Sequence, residues 1–167
     1  MSDNTLFFDY IERLNTVLDL VDLGQIIYLS NLIDEADRVW VIGNGGSCSN
    51  AEHFAEDLLK LKGKKATALS NSSLMTMSAN DEGFENMFSY PLSKLAGEND
   101  LIICLTMGGK SKNILNVLND NVPGKKFVIT GFGGNSIKAD KLVIFCSDMQ
   151  ILEDVCLAIM HMICKYK

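Results

Sequence analysis

Five short runs rich in β-branched and other apolar residues recur along the chain, and longer stretches with helical periodicity separate them. We predict strands in these runs, at Arg38–Gly43, Lys65–Leu69, Leu101–Leu105, Lys126–Thr130 and Lys141–Phe145. Strands that alternate with helices build a parallel sheet with helices on both of its faces. The pattern therefore predicts an α/β fold with three layers, α/β/α, around a five-stranded parallel sheet.

The first and third runs contain unbroken apolar segments, Val39–Ile42 and Leu101–Leu105. Such segments are typical of central strands that helices cover on both faces. Ahead of the sheet, apolar residues at helical spacing from Phe7 to Val21 predict one helix, and a second helix is predicted from Gln25 to Ala36. Two N-terminal helices therefore occupy residues 5–36, and the sheet with its loops occupies residues 38–147.

The last segment, Ile151–Tyr166, has hardly any polar face. A helix that is apolar on all sides must be buried on all sides. In a chain of 167 residues, partner subunits are the first candidates for that cover. The pattern therefore predicts a homo-oligomer with these helices at its centre, and a core helix within one subunit is the alternative.

Composition narrows the functional classes. The length and an apolar content of 47% suit one domain spanning residues 1–167. The net charge of −6, without a stripe of Lys or Arg, disfavours nucleic acid as a ligand. Five scattered cysteines without a CxxC pair favour a reducing compartment. Because neither a basic leader nor an apolar stretch of ~18 residues is present, we expect a cytoplasmic protein without membrane contact.

The first glycine-rich segment, Gly43–Asn50, directly follows the first predicted strand and leads into a helix. Free backbone N–H groups at such a helix start favour an anion or sugar hydroxyls. A dinucleotide site is disfavoured, because the third glycine of GxGxxG is absent and no acidic residue follows the second strand. A turn that needs glycine for structural reasons alone is the other interpretation. The candidate substrate-binding residues in this segment are Asn44, Gly45, Gly46 and Ser47.

A second loop, Thr106–Asn113, follows the third predicted strand and opens another helix. Its Gly-Lys-Ser stretch resembles the end of a P-loop, but Cys104 occupies the position of that motif's first glycine. We therefore expect a small phosphate and no nucleotide cofactor, with Lys110 as a point charge. A third glycine turn, Thr130–Gly134, is interpreted as structural. The candidate phosphate-binding residues are Thr106, Gly108, Lys110 and Ser111.

Four parts of the chain together resemble the phosphoheptose isomerases, a branch of the sugar isomerase (SIS) proteins. They are Gly43–Ser47, Ala51–Leu58, Asn80–Phe84 and His161 in the final helix. The resemblance implies a Rossmann-like SIS fold and a homotetramer that interconverts sedoheptulose 7-phosphate and D-glycero-D-manno-heptose 7-phosphate, a precursor of bacterial lipopolysaccharide or capsule heptose. It also implies that Asn80 and Asp81 contact the substrate.

The resemblance further implies a catalytic and metal-binding group. Where the family has His, Glu, Gln and His, this chain has His53, Asp57, Glu153 and His161. His53 and Asp57 are four residues apart, hence on one face of a helix. Two imidazoles and two carboxylates suit a divalent metal, zinc above all. Asp154 is an alternative to Glu153 as a ligand, because it lies closer to the helical face of His161.

Aldose–ketose isomerisation needs a base whose pKa lies near neutrality. His161 is the best candidate for base or acid, and Asp57 is its best partner. The second loop departs from the family, because two hydroxyl-bearing positions are Met107 and Gly108 here. Isomerisation of a different sugar phosphate is therefore one alternative. A non-catalytic SIS protein that binds a sugar phosphate or a protein partner is another.

Overall fold

A computed structural model describes residues 3–119 and 122–165 of the chain. The helices are α1 Asp3–Asp19, α2 Leu23–Glu35, α3 Gly46–Lys62, α4 Ser72–Asp81, α5 Ser89–Leu95, α6 Lys112–Asn119 and α7 Met149–Lys165. The strands are β1 Val39–Gly43, β2 Ala66–Ala68, β3 Leu101–Leu105, β4 Lys125–Gly131 and β5 Asp140–Ile144. All five predicted strands are thus present, with ends that differ by one residue or match.

The five strands form one parallel sheet in the order β2-β1-β3-β4-β5. The chain runs outward from β1 to β2, then returns past β1 to β3 and continues in the opposite direction. Strand order therefore reverses between β1 and β3, and in open α/β sheets ligands bind outside the carboxyl ends of the strands at such a switch point. The predicted α/β fold with a five-stranded parallel sheet is confirmed.

The two faces of the sheet carry separate cores, because side chains alternate along each strand. Val39 and Val41 of β1 pack in the larger core, to which α1, α2, α3 and α7 contribute. Trp40 and Ile42 pack in the smaller core with residues of α4, α5 and α6. Every residue of β1 and β3 is buried, as the unbroken apolar segments of the sequence indicate.

The last helix is covered mainly by its own chain. Its contacts with α1, α2, α3 and β5 bury eight side chains: Ile151, Leu152, Val155, Cys156, Ile159, Met160, Ile163 and Cys164. The expectation that partner subunits must cover this helix is therefore wrong, and the alternative of a core helix within one subunit is correct for these residues. The predicted end at Tyr166 lies outside the described residues. The oligomer itself stays a prediction.

Exposed apolar side chains instead concentrate on the N-terminal helices. On α1, Phe7 and Phe8 are each 70% exposed and Ile11 is 53% exposed, and on α2 Leu23 and Ile27 are exposed as well. Among the described residues, no single helix is long and apolar enough to cross a bilayer, although α1 from Thr5 and α2 reach that length and composition as a pair bent by 71°.

An ion pair anchors α1 to the start of α7. Arg13 donates a hydrogen bond of 2.6 Å from Nη2 to Oδ2 of Asp148. The other carboxylate oxygen of Asp148 accepts from the backbone N–H groups of Gln150 and Ile151, so the same residue caps α7. The Arg13 hydrogen bond, together with these backbone bonds, lowers the pKa of Asp148 below its usual value.

We predict that Asp148→Asn lowers the melting temperature in a pH-dependent way, because Asn can still cap α7 but cannot pair with Arg13 as an anion. A lowered folded-state pKa stabilises the fold above the unfolded pKa of about 3.9, and this contribution is lost as the pH falls through the folded value. Thermal unfolding followed by circular dichroism should show a deficit at pH 7 that shrinks below about pH 4. The control is Asp9→Asn, whose exposed pair with Arg13 spans 3.8 Å. A deficit independent of pH would contradict the prediction.

Candidate functional site

The two glycine-rich loops begin side by side at the carboxyl edge of the sheet. Gly43, the last residue of β1, is the register partner of Leu105, the last residue of β3. The loop that follows each strand leads at once into a helix, α3 after the first loop and α6 after the second. The switch point is therefore flanked by two turns rich in backbone N–H groups, as the sequence predicts.

The first loop is a tight turn that requires glycine at particular positions. Gly45 has a φ of 56°, in the left-handed region. A Cβ on Gly43 would lie 2.7 Å from the backbone of Ser47, and the Ser47 N–H donates to the carbonyl of Asn44 over 3.1 Å. Ser47 is buried, whereas Gly45 and Gly46 are exposed. The structural reason for glycine and a binding role are thus compatible in this turn.

A reciprocal pair of side-chain amides joins this turn to α6. Asn44 donates from Nδ2 to Oδ1 of Asn113 over 3.0 Å, and Asn113 donates from Nδ2 to Oδ1 of Asn44 over 2.9 Å. Asn113 is fully buried, while Asn44 is only half-buried. Sequence reasoning missed Asn113. The available signal was a polar residue on the buried face of a helix, four residues before the buried Val117.

The second loop leaves one buried hydroxyl without a partner. Oγ1 of Thr106 is buried and makes no hydrogen bond among the described residues. The carbonyl of Thr106 is well paired, since it accepts from the Thr130 hydroxyl over 2.6 Å and from the Gly109 N–H over 3.0 Å. An unpaired buried hydroxyl costs roughly 1–3 kcal/mol. The loop therefore holds a buried polar atom that has no partner among the described residues.

The third glycine turn packs directly against the second loop. The N–H of Gly131 donates to the Met107 carbonyl over 3.0 Å. Gly109 has a φ of 65°, and a Cβ on it would overlap Gly134 of the third turn. These contacts give the third turn the structural role that we expected for it.

Residues of the second loop differ in burial. Met107 is only 4% exposed and belongs to the larger core, whereas Gly108 and Lys110 are exposed. The carbonyl of Ser111 accepts from the N–H groups of Ile114 and Leu115, which places Ser111 at the start of α6. Met107 therefore serves packing, and the exposed part of the loop is formed by its neighbours.

Three of the four predicted catalytic and metal-binding residues lie together between α3 and α7. Nε2 of His53 is 3.2 Å from Nε2 of His161. Oδ2 of Asp57 is 3.5 Å from the former nitrogen and 3.6 Å from the latter. The imidazoles are about half exposed and the carboxylate less so, at 49%, 48% and 20%. The i, i+4 spacing on α3 brings His53 and Asp57 together, and the packing of α7 adds His161.

The geometry of this group suits a metal ion. A tetrahedral cation with bonds of about 2.1 Å holds its donor atoms about 3.4 Å apart, close to the separations of 3.2, 3.5 and 3.6 Å here. The three donor atoms form a candidate metal-binding group, and their exposure leaves access for a further ligand. The thiol of Cys164 is not part of this group, and burial first, and then the charge of Asp57, raises its pKa to about 12.

Curated relatives of this chain include phosphoheptose isomerases. The phosphoheptose isomerase of Campylobacter jejuni is 31% identical over 157 residues, which cover 85% of this chain and 84% of the relative. That of Geotalea uraniireducens is 30% identical over 147 residues, covering 81% and 78%. The chain belongs to the phosphoheptose isomerase family. No protein-family model matches it.

The fold agrees with this family membership. The structure of a phosphoheptose isomerase from Francisella tularensis superimposes with a TM-score of 0.89 at 22% identity, over 98% of this chain and 97% of the other. At that identity the likeness shows a shared fold, and it confirms the SIS architecture that the resemblance implied.

Glu153, the remaining family position in the group, lies elsewhere. It precedes His161 by eight residues, which is about 12 Å along a helix, and its carboxylate lies over Gly46, where a Cβ would overlap it. The metal-binding group of the described residues does not include it. The alternative, Asp154, accepts a hydrogen bond of 2.6 Å from the Tyr10 hydroxyl, which raises the pKa of Tyr10 to about 12. Neither acidic residue of α7 therefore joins the histidines in this structure.

The other family positions, Asn80 and Asp81, form the end of α4. Nδ2 of Asn80 donates to the Asp81 carboxylate over 2.7 Å, and both residues are exposed. Among the hydrogen bonds and ion pairs of the described residues, none links them to either loop or to the histidines. Their role in binding stays a prediction.

We predict that the protein binds a divalent cation through His53, Asp57 and His161, with about one equivalent per chain. Elemental analysis after loading with metal and gel filtration should show this stoichiometry. His53→Ala should abolish most of it, because two donors hold a cation far less tightly than three.

The matched control is Glu153→Ala, which should keep the metal, since Glu153 lies over the first loop. Loss of metal from this variant would return Glu153 to the ligand set and contradict the three-residue assignment.

Proposed function

We propose that this protein is a phosphoheptose isomerase that interconverts sedoheptulose 7-phosphate and D-glycero-D-manno-heptose 7-phosphate. The observation that carries the proposal is the group of His53, Asp57 and His161, within 3.6 Å of one another. In a member of this family, such a group at the protein surface supplies both proton transfer and a cation site.

The distance between the first loop and the group of His53, Asp57 and His161 suits an open-chain sugar phosphate. His53 follows Gly46 by seven residues, so it lies about 10 Å farther along α3. A seven-carbon chain can span that length with its carbonyl end at the histidines and its phosphate at the loops. We propose that the phosphate binds the second loop through Thr106, Gly108, Lys110 and Ser111. The sugar would contact the first loop, with Asn44, Gly45, Gly46 and Ser47, and also Asn80 and Asp81.

Isomerisation moves a proton between C1 and C2 of the sugar through an enediol. We assign the proton transfer to His161, with Asp57 as the partner that stabilises the imidazolium. The two Nε2 atoms face each other at 3.2 Å, a hydrogen-bond distance at which one imidazole donates and the other accepts.

Zinc is the cation that we propose for this group, because two imidazoles and a carboxylate are among its preferred ligands. When bound, it would polarise the sugar carbonyl. His53, Asp57 and His161 would then orient the cation. The proposal has two forms: a group that needs zinc, and a metal-free group in which His161 and Asp57 are plain acid–base catalysts. Full activity in the presence of a chelator would support the metal-free form.

We further propose that residues 1–167 form one cytoplasmic domain that assembles into a homotetramer. Two cores that share one sheet support the single domain. The exposed apolar side chains of α1, with Phe7 and Phe8 at 70%, support burial of that helix between subunits.

A non-catalytic sugar-phosphate-binding protein is the weaker alternative. Phosphate recognition alone needs neither of the two histidines in the chain, yet both lie in one group with Asp57. That convergence favours an enzyme.

We predict that the wild-type protein converts sedoheptulose 7-phosphate to the aldose, measured by discontinuous chromatography of the sugar phosphates. His161→Asn should lower kcat by about 10²–10⁴-fold, because a positioned general base contributes that much. A panel of other ketose phosphates serves as the control for specificity. Turnover of a different ketose phosphate alone would correct the substrate, and turnover of none would favour the binding protein.

We predict that Lys110→Met raises the KM for sedoheptulose 7-phosphate about tenfold, because a charge-assisted hydrogen bond contributes roughly 1.5–3 kcal/mol. The melting temperature should not change, since Lys110 is exposed. Lys60→Met makes the same change in net charge at an exposed site on α3 and should leave KM unaltered. An unchanged KM in Lys110→Met would exclude Lys110 from phosphate binding.

A further inference from the structure

The amide pair of Asn44 and Asn113 joins the two glycine loops. Its two hydrogen bonds, of 3.0 and 2.9 Å, connect residues 69 positions apart in the sequence. Asn44 is the first residue of the first loop after β1, and Asn113 lies two residues beyond Ser111 of the second loop. The pair therefore bridges the switch point, behind the surface where the two loops are exposed.

The first loop depends on this pair more than α6 does. The other described loop hydrogen bonds of Asn44, Gly45 and Ser47 stay within the turn or connect it to the start of α3. By contrast, α6 is held in the smaller core by Ile114 and Val117, which are both fully buried. The helix is thus a fixed support, and the turn is the part that the amide pair positions.

The pair also holds Asn44 in a state suited to binding. Each side-chain amide has two N–H donors and two acceptor lone pairs, and the reciprocal pair uses one donor and one acceptor of each residue. Asn44 is half-buried, and among the described hydrogen bonds none uses its second N–H or its second lone pair. Rotation of one amide alone would break both bonds, so the plane of the Asn44 amide is fixed before a ligand arrives.

We propose that Asn113 is a positioning residue for substrate binding, which acts through Asn44 and makes the two loops a single pre-organised binding unit. Because Asn113 is fully buried, it has no direct access to the substrate. Without the amide pair, the first loop must become ordered when the ligand binds. The free energy of that ordering then weakens binding. The nature of the ligand rests on the proposed function, whereas the coupling of the loops does not.

A double-mutant cycle on KM tests the part that concerns substrate. Asn113→Ala should raise the KM for sedoheptulose 7-phosphate about tenfold and leave kcat within about threefold, as expected when ground state and transition state lose the same binding. In an Asn44→Ala background, Asn113→Ala should have no further effect on KM, because Asn113 acts through Asn44. Independent, additive effects of the two substitutions would overturn the proposal.

The matched control is Asn116→Ala. Asn116 lies on the same helix and also makes a side-chain amide bond, of 3.1 Å to Asn86, away from the first loop. This variant should keep the wild-type KM. If it raises KM as much as Asn113→Ala does, general disturbance of α6 is the cause and the proposal fails.

Hydrogen–deuterium exchange tests the coupling without any substrate. Peptides that cover residues 43–50 should exchange at least about fivefold faster in Asn113→Ala than in the wild type, because the amide pair no longer holds the turn. Peptides from β3 should be unchanged, and Asn116→Ala should behave like the wild type. Unchanged exchange in the first loop, or a uniform rise that includes β3, would overturn the proposal.

The two experiments separate the failure of this proposal from failure of the proposed function. If the wild-type protein neither binds nor converts the heptulose phosphate, the proposed function fails and exchange in the first loop still decides the coupling. If Asn113→Ala does not fold, Asn113→Leu replaces it in both experiments. That variant keeps about the same side-chain size but can neither donate nor accept a hydrogen bond, so the same rise in KM and in loop exchange is expected.

Discussion

The parallel pairing of β1 with β3 is the interaction on which the rest of the site depends. Its register sets Gly43 opposite Leu105, so both glycine turns start at the same level of the sheet. A slip of one residue would exchange the side chains of the two faces, and Trp40 and Ile42 would leave the smaller core. The requirement for two filled cores therefore also fixes the relative position of the loops.

Helix packing sets the geometry of the group of His53, Asp57 and His161. His53 and Asp57 belong to α3, which directly follows the first loop. His161 belongs to α7, whose buried side chains pack in the larger core. Arg13 and Asp148 hold the beginning of that helix. Because densely packed interiors resist small displacements, packing fixes the backbone positions that carry the three donor atoms.

The strands and the two loops could be predicted from sequence because each depends on neighbouring residues. An apolar run followed by glycines identifies β1 and its turn, and a spacing of four residues brings His53 beside Asp57. The cover of α7 could not be predicted, since periodicity reveals how much of a helix is apolar but not which element lies against it. The position of Glu153 and the pairing of Asn113 with Asn44 were inaccessible for the same reason, because both are set by packing between distant segments.

The positions of the second loop differ in how freely they can be substituted, because Met107 is buried. Its side chain fills part of the larger core, while its neighbours Gly108 and Lys110 are exposed. A substitution at position 107 therefore lowers the stability of the fold whatever it does to ligand binding, since changes of volume in a packed core are destabilising. Positions 108 and 110 are exposed, so substitutions there do not change the volume of the core. Under the proposed role of the second loop in phosphate binding, substitutions that change the preferred sugar phosphate should accumulate at these two positions first.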